Sequence, residues 1–300
     1  MNEPKRHHYI PQFILRNFCF DDNNNIHYYN KKTNQVTVEQ PRDIFMSRHL
    51  YRDEINSPDN PVKIEKDLAE YEREVSEIIN GKFLKENEIT LNTEEEEKLK
   101  LFFAIMAFRA KRTADFFKNG ISKTGQKMYS NSQPDGNFSD LWKRNLMNLV
   151  NCRSMDDVRN HPDIDDYIKV FFQRDTEGIF GINFAVVGRK EAPEFVLGDT
   201  YPSVVSGKLP NGLELTMYSV FPVSPDRVIL MVNNGADNTP SEVLGFRPCI
   251  LYPPKEKNGK KTIRVKNLFC DEIKQINASI ISEAKEGIVF KTLPESSNIF

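Results

Sequence analysis

The sequence predicts an α+β fold, with a mainly helical N-terminal two-thirds packed on a C-terminal antiparallel sheet and closed by a C-terminal helix. Three observations predict it. Apolar residues recur at helical spacing from residue 62 to about 172. From about Ile179 the chain changes to short β-branched and aromatic runs divided by Gly, Pro and Asp. Leu268, Ile273, Ile276, Ile280 and Ile281 then mark one last helix over 267–285. The expected organisation is a single composite domain over 1–290: residues 1–175 mainly helical around a small N-terminal hairpin, 176–290 sheet plus closing helix, and 291–300 a tail.

The elements follow in order. Pro11 sets its own φ and disfavours helix at Ile10, so His7 to Ile10 read as extended and a short helix starts at Pro11. Phe13, Ile14 and Phe18 make its apolar side, while Gln12 and Arg16, four apart, share another. Ile26–Tyr29 and Val36–Val38 read as a hairpin with His27 on the solvent side. Phe45, Leu50 and Tyr51 look like an irregular anchor onto the core, and His49, between Arg48 and Arg52, looks like a surface residue.

The first long helix covers Val62 to Gly81, with Ile64, Leu68, Tyr71, Val75, Ile78 and Ile79 in one stripe. Asn92 or Thr93 caps the next, and Glu94 to Glu97 favour the dipole of its first turn. That helix is expected to run unbroken to about Phe117. Its apolar density implies burial, so Arg109 and Arg112, three apart on nearly one face, need carboxylate or phosphate partners. Residues 118–138 read as a loop or broken helix. Leu141–Val150 and Met155–Phe172 are helical, the latter interrupted by His161-Pro162. Strands are expected at Ile179–Val187, Glu194–Leu197, Leu213–Phe221 and Arg227–Val232, paired antiparallel through short loops. A Lys-rich loop over 253–261 carries the Asn258-Gly259 turn signal before a strand at Thr262–Val265.

Composition narrows the class. Of 300 residues, 39% are hydrophobic and 28% charged, an ordinary globular balance with enough apolar material for a core. No apolar run is long enough for a membrane span and no secretory h-region is present, so a cytoplasmic protein without membrane contact is expected. A net charge of −2 gives no global attraction to nucleic acid, and such a partner would need a local basic patch. Cys19, Cys152, Cys249 and Cys270 form no Cys-x-x-Cys pair and read as buried thiols. There is no internal repeat, phosphate loop, dinucleotide fingerprint or Gly-x-Ser-x-Gly nucleophile.

Chemistry concentrates at the start of the chain. Two of the five histidines, His7 and His8, precede the first helix. The helix dipole disfavours an imidazolium at His8 and leaves a neutral ring able to act as ligand or base. Neighbours on an extended segment face opposite ways, so His7 and His8 do not both point into one site. Glu65 and Glu72 share a helix face but lie about 10.5 Å apart along the axis, too far to hold one ion together. Asp199 sits on a turn between Gly198 and Pro202, and Asn277 is an amide among apolar helix positions that must find a hydrogen-bond partner.

The opening His7-His8-Tyr9-Ile10-Pro11-Gln12-Phe13-Ile14-Leu15-Arg16-Asn17-Phe18 resembles the N-terminal signature of the DUF4238 family of prokaryotic and phage proteins, whose function is not established. Ile64-Glu65 with Glu72, Arg112-Thr113, Phe195-Val196-Leu197-Gly198-Asp199, Phe221-Pro222-Val223-Ser224-Pro225 and Asn277 resemble its later motifs in the same order, over about residues 7–290.

Two functional classes remain open. In the first, His8, His7, Glu65 and Asp199 are catalytic, with His8, Glu65 and Asp199 holding a divalent Mg, Mn or Zn ion that activates water. Arg16, Gln12, Arg109, Arg112 and Asn277 then bind substrate, and the protein is a metal-dependent phosphodiesterase or nuclease acting on nucleic acid in prokaryotic or antiphage conflict. In the second, the same residues form a structural polar network in a ligand- or partner-binding protein without chemistry or cofactor.

Overall fold

A computed structural model describes residues 5–119, 138–176, 180–188, 192–208, 214–233 and 255–293. The chain opens with β1 (Arg6–His8), α1 (Gln12–Arg16), the hairpin β2 (Ile26–Asn30) and β3 (Gln35–Glu39), and β4 (Met46–Arg48). Helix α2 (Lys63–Ile78) runs into a π-helical turn over Ile79–Phe83, followed by β5 (Glu88–Asn92), α3 (Thr93–Arg109) and α4 (Lys111–Asn119). Then come α5 (Phe138–Asn151), α6 (Met155–Asn160) and α7 (Asp166–Thr176). The later strands are β6 (Phe180–Val187), β7 (Leu197–Gly198), β8 (Ser203–Lys208), β9 (Glu214–Ser224), β10 (Arg227–Asn233), β11 (Lys255–Lys257) and β12 (Lys260–Leu268). Helix α8 (Cys270–Glu283) and β13 (Gly287–Phe290) close the described chain.

Strand pairing overturns the expected division into a helical N-terminal part and a C-terminal sheet. A four-stranded sheet has the order β3-β2-β13-β7, so the N-terminal hairpin is completed by the last strand, with Gly287 opposite Asn30 and Phe290 opposite His27. A seven-stranded sheet runs β11-β12-β6-β10-β9-β8, and β5, from between two helices, adds to β12. A two-stranded pair joins β1 to β4 and fixes His7 opposite Ser47. The sheets are not wholly antiparallel either, because β12 runs parallel to β6 from Val265–Phe184 to Leu268–Val187. The physical reason is that a strand pairs with whichever edge offers free N–H and C=O groups, however distant in the chain. Gly287-Ile288-Val289-Phe290 is short and follows a helix directly, so local pattern alone does not announce it.

The helices obey local rules more closely. Asn92 caps α3: its side chain accepts from the Glu95 N–H at 2.8 Å, and the Glu95 carboxylate accepts from the Asn92 N–H at 2.9 Å. The stripe Ile64, Leu68, Tyr71, Val75 and Ile78 is buried as expected. The helix expected to continue to Phe117 instead breaks at Ala110, whose ψ of 143° is extended, so Arg109 and Arg112 lie on different helices. His27 is also corrected: it is buried, stacked between Phe20 and Phe290 at 4.2 and 5.7 Å, and its Nδ1 lies 2.8 Å from the Lys291 carbonyl oxygen. The Asn258-Gly259 turn forms, both residues having positive φ (53° and 67°) between β11 and β12. Residues 120–137, most of the expected loop, and 294–300, most of the tail, lie outside the described residues. No described helix is long and apolar enough to cross a membrane.

Gly287 secures the junction of hairpin and last strand by size. A Cβ there would meet the edge and hydroxyl of the Tyr28 ring well inside van der Waals contact. Gly287→Ala is expected to lower stability by about 1–3 kcal/mol in urea unfolding, and a double variant adding Tyr28→Ala to lose less than the sum of the single changes. Additive losses would mean that the ring is not the obstacle.

Candidate functional site

Arg109, the last residue of α3, is 1% exposed and sits at the centre of the polar cluster. Its guanidinium donates one short hydrogen bond to the Glu72 carboxylate on α2 and another, at 2.7 Å, to the His8 carbonyl oxygen. It also lies 5.8 Å from the centre of the Tyr51 ring. The Tyr51 hydroxyl donates toward the His8 and Arg109 carbonyls, at 3.4 Å each. One cation thus ties together the first strand, the first long helix and the loop after β4.

The two histidines take different partners. His7 is fully buried, accepts the Tyr51 N–H on Nδ1 at 2.9 Å and stacks on the Tyr51 ring at 5.6 Å. The His8 Nδ1 lies 3.2 Å from the Gln12 amide nitrogen, and the Gln12 carbonyl oxygen accepts from Arg16 at 3.2 Å. The sequence reading of Gln12 and Arg16 as one face is met by this chain, which runs from an exposed cation to a buried ring. With Nδ1 accepting, His8 Nε2 carries the proton and lies buried toward the Pro41 and Arg42 backbone, without a well-formed hydrogen bond among the described residues. Burial holds the His8 ring below its ordinary range, against the pull of the Pro41 and Arg42 backbone. It is therefore a neutral ring at pH 7.

Glu65 is half-buried and has no hydrogen-bond partner among the described residues. Burial pushes its carboxyl up to about 7, the Arg109 charge opposing the rise and Glu72 adding to it. This is the most strongly displaced carboxyl of the cluster and titrates where a proton-transfer group is useful.

Asp199 belongs to another place. Its Oδ1 accepts the N–H groups of Lys285 and Gly287 at 2.8 and 3.3 Å, so the turn after β7 is bonded to the approach to β13. Burial raises it, while those N–H groups pull it down. Around it stand Tyr9, whose hydroxyl donates to Glu286 at 2.7 Å, and Lys111, 3.8 Å from the same carboxylate. Asn277 is also engaged: it accepts the Val196 N–H at 3.1 Å and donates to the Glu194 carbonyl at 2.7 Å. Arg112 lies apart again, donating to the Pro202 carbonyl at 3.4 Å.

The structure therefore brings together His8, Gln12, Arg16, Arg109 and Glu72, with Glu65 within the field of Arg109. It does not bring Asp199, Arg112 or Asn277 to them. Among the described residues no three His, Cys, Asp or Glu side chains are grouped to hold a metal ion, so His8, Glu65 and Asp199 make no ligand set. Sequence reasoning missed Tyr51 as the stacking partner of His7, and Tyr9, Glu286 and Lys111 as neighbours of Asp199. Alternation along β1 was the available signal for Tyr9, which follows His8 and faces the other way.

Fold and site together define a mixed helix-and-sheet protein whose N-terminal strand is locked to two helices through one buried guanidinium. The chain belongs to the DUF4238 family: the model of that family, described as a protein of unknown function, matches residues 6–293. No curated protein and no solved structure matches the chain.

Two outcomes follow from this geometry. Glu72→Ala removes the hydrogen-bonded carboxylate from the buried Arg109, leaving only the charge of Glu65 in its field, and is expected to cost about 3–5 kcal/mol. Arg109→Met, which frees the water-accessible Glu72 and orphans the His8 carbonyl, is expected to cost less, about 1–3 kcal/mol. Equal costs in denaturant unfolding would deny Arg109 its central place. A carboxyl raised in the folded state binds its proton more tightly there, so its contribution favours folding least when ionised. As pH rises from about 4.5 to about 7, Glu65 therefore takes stability away. Glu65→Gln should match the wild type near the lower limit and exceed it above the upper one, by at most roughly 3 kcal/mol, as read from urea midpoints across pH.

Proposed function

We propose that this DUF4238 member is a ligand- or partner-binding protein in which the His, Glu, Arg and Asp residues of the family motifs are an internal polar framework. One observation carries the reading. The Arg109 guanidinium, the group best suited to grip a phosphate, has both terminal nitrogens bonded to Glu72 and the His8 carbonyl, and it is withdrawn from solvent with only its buried Nε unpaired among the described residues. The same spending of polar groups on the protein's own backbone recurs at His7, Asp199 and Asn277. A residue that satisfies buried backbone groups stabilises the fold and is not free for a substrate.

A second reading, phosphodiester cleavage of nucleic acid in prokaryotic or phage conflict, is favoured by Glu65. That carboxyl is half-buried, lacks a hydrogen-bond partner among the described residues and titrates near 7, beside a cation. In that version Glu65 and substrate oxygens, not three protein side chains, would hold a Mg or Mn ion.

Incubation of the purified chain with DNA, RNA and tRNA in Mg, Mn or Zn separates the readings. The expected outcome is no cleavage in any metal. Metal-dependent cleavage lost in both Glu65→Gln and His8→Ala would replace the binding reading with the catalytic one.

A further inference from the structure

Between α3 and the large sheet lies a cavity of about 30 Å3. Its walls are Phe103, Ala104 and Ala107 from α3, Phe221 from β9, Met231 from β10, and Pro202 from the turn before β8. Ser219 is its one polar wall residue. On this measure a water needs about 10–15 Å3, so the space takes two or three groups of methyl or water size. Its wall side chains are apolar except for Ser219, and although hydroxyl and main-chain atoms also reach its surface, the larger part suits a short hydrocarbon tail.

Two polar residues contact its wall residues from outside, Tyr201 against Phe221 and Arg112 on the Pro202 carbonyl. Tyr201, next to the wall residue Pro202, packs edge-on against Phe221 with ring centres 5.4 Å apart. It is 1% exposed, and its hydroxyl is buried without a hydrogen-bond partner. Such an orphan is uncommon in a folded protein. Arg112, exposed in the first turn of α4, reaches over the same wall and makes one long bond, 3.4 Å, to the Pro202 carbonyl. The Thr113 hydroxyl, donating to the Ala107 carbonyl at 2.9 Å, ties that turn to the α3 wall. The charged neighbour of Arg112 is Glu283, one of whose oxygens already accepts the Val204 N–H at 2.9 Å.

We propose that this cavity is a binding site for a short aliphatic monocarboxylate, its two- or three-carbon tail against Phe103, Ala107, Phe221 and Met231 and its carboxylate on Arg112. The motif pair Arg112-Thr113, which the Arg109 framework leaves unused, then supplies the anion-binding group and its anchor. The site gives the binding-protein reading a ligand class, yet its residues are separate from those of the cleavage assay. A nuclease result would displace that reading without touching this cavity.

The test is a titration of the full chain with sodium propionate, followed by NMR of 13C-methyl-labelled methionine, with Met231→Leu identifying the Met231 signal. Saturable movement of that signal in roughly the millimolar range is expected for so small a ligand. Arg112→Gln, an exposed substitution outside the core, should weaken binding roughly tenfold or more through loss of the charge-assisted bonds. Ala107→Leu should abolish it by filling the space, and 1-propanol, with the same tail and no charge, should bind at least roughly tenfold more weakly. No saturable shift up to roughly 100 mM, far above the expected range, would overturn the site. So would propionate binding unchanged in both variants, or propanol binding as well as propionate.

Discussion

The buried guanidinium of Arg109 is the constraint on which the N-terminal half of this structure depends. A cation taken out of water loses several kcal/mol of hydration, and only a close carboxylate with further hydrogen bonds makes that tolerable. Glu72 supplies the charge and the His8 carbonyl supplies a second acceptor. Because those partners come from α2 and β1, satisfying one side chain dictates where three segments must meet. An apolar residue at the end of α3 would pack, but it would not select the orientation of β1. Tyr51 extends the constraint by stacking on His7 while its hydroxyl lies between the carbonyls of His8 and Arg109.

A second junction works by different means at the opposite end of the chain. Asp199 collects the N–H groups that lead into β13, and Asn277 holds the backbone on either side of Phe195. Neither residue offers a free face to a ligand through those bonds. Asp199 satisfies N–H groups that follow α8, and Asn277, within α8, satisfies main-chain groups of the segment before β7. The β13 strand then pairs with β2 and with β7, so the N-terminal hairpin and the strand that leads into the Asp199 turn share one sheet. The motifs spread along the sequence are thus linked through sheet pairing and backbone capping, not through a common pocket.

Local rules made the helices legible and left the sheets obscure. The α2 stripe, the Asn92 cap and the Asn258-Gly259 turn all follow from nearest-neighbour chemistry, and each is present. The break at Ala110 was hidden because Lys111, Arg112 and Thr113 carry no Pro or Gly punctuation. It becomes intelligible once the Thr113 hydroxyl is seen taking the Ala107 carbonyl that an unbroken helix would use. The exposure of His27 was misjudged for a related reason. Alternation tells which residues share a face but not which face another segment covers, and Phe290 arrives from the far end of the chain. At the site, the pairing of an arginine with Glu72 was open to sequence reasoning, since a buried cation must be matched. The separation of Asp199 from His8 was not, because a motif records the order of residues and carries no distance.

Resemblance at separated motifs therefore needs a stricter physical reading than common function. Residues that satisfy buried backbone or bury a charge are as restricted in identity as residues that touch substrate, since replacing either leaves an unpaired group. His7 illustrates the first kind, its ring accepting a backbone N–H while fully enclosed. Arg112 illustrates the alternative, being exposed, weakly bonded and beside an apolar space with an orphaned phenol. The useful distinction among motif residues is thus whether their hydrogen-bonding capacity is already filled by the chain itself. By that criterion the framework includes His7, Asp199, Asn277 and the two terminal nitrogens of Arg109, and the groups without a partner among the described residues are Glu65, the His8 Nε2 and the Arg109 Nε, with Arg112 held by one long bond.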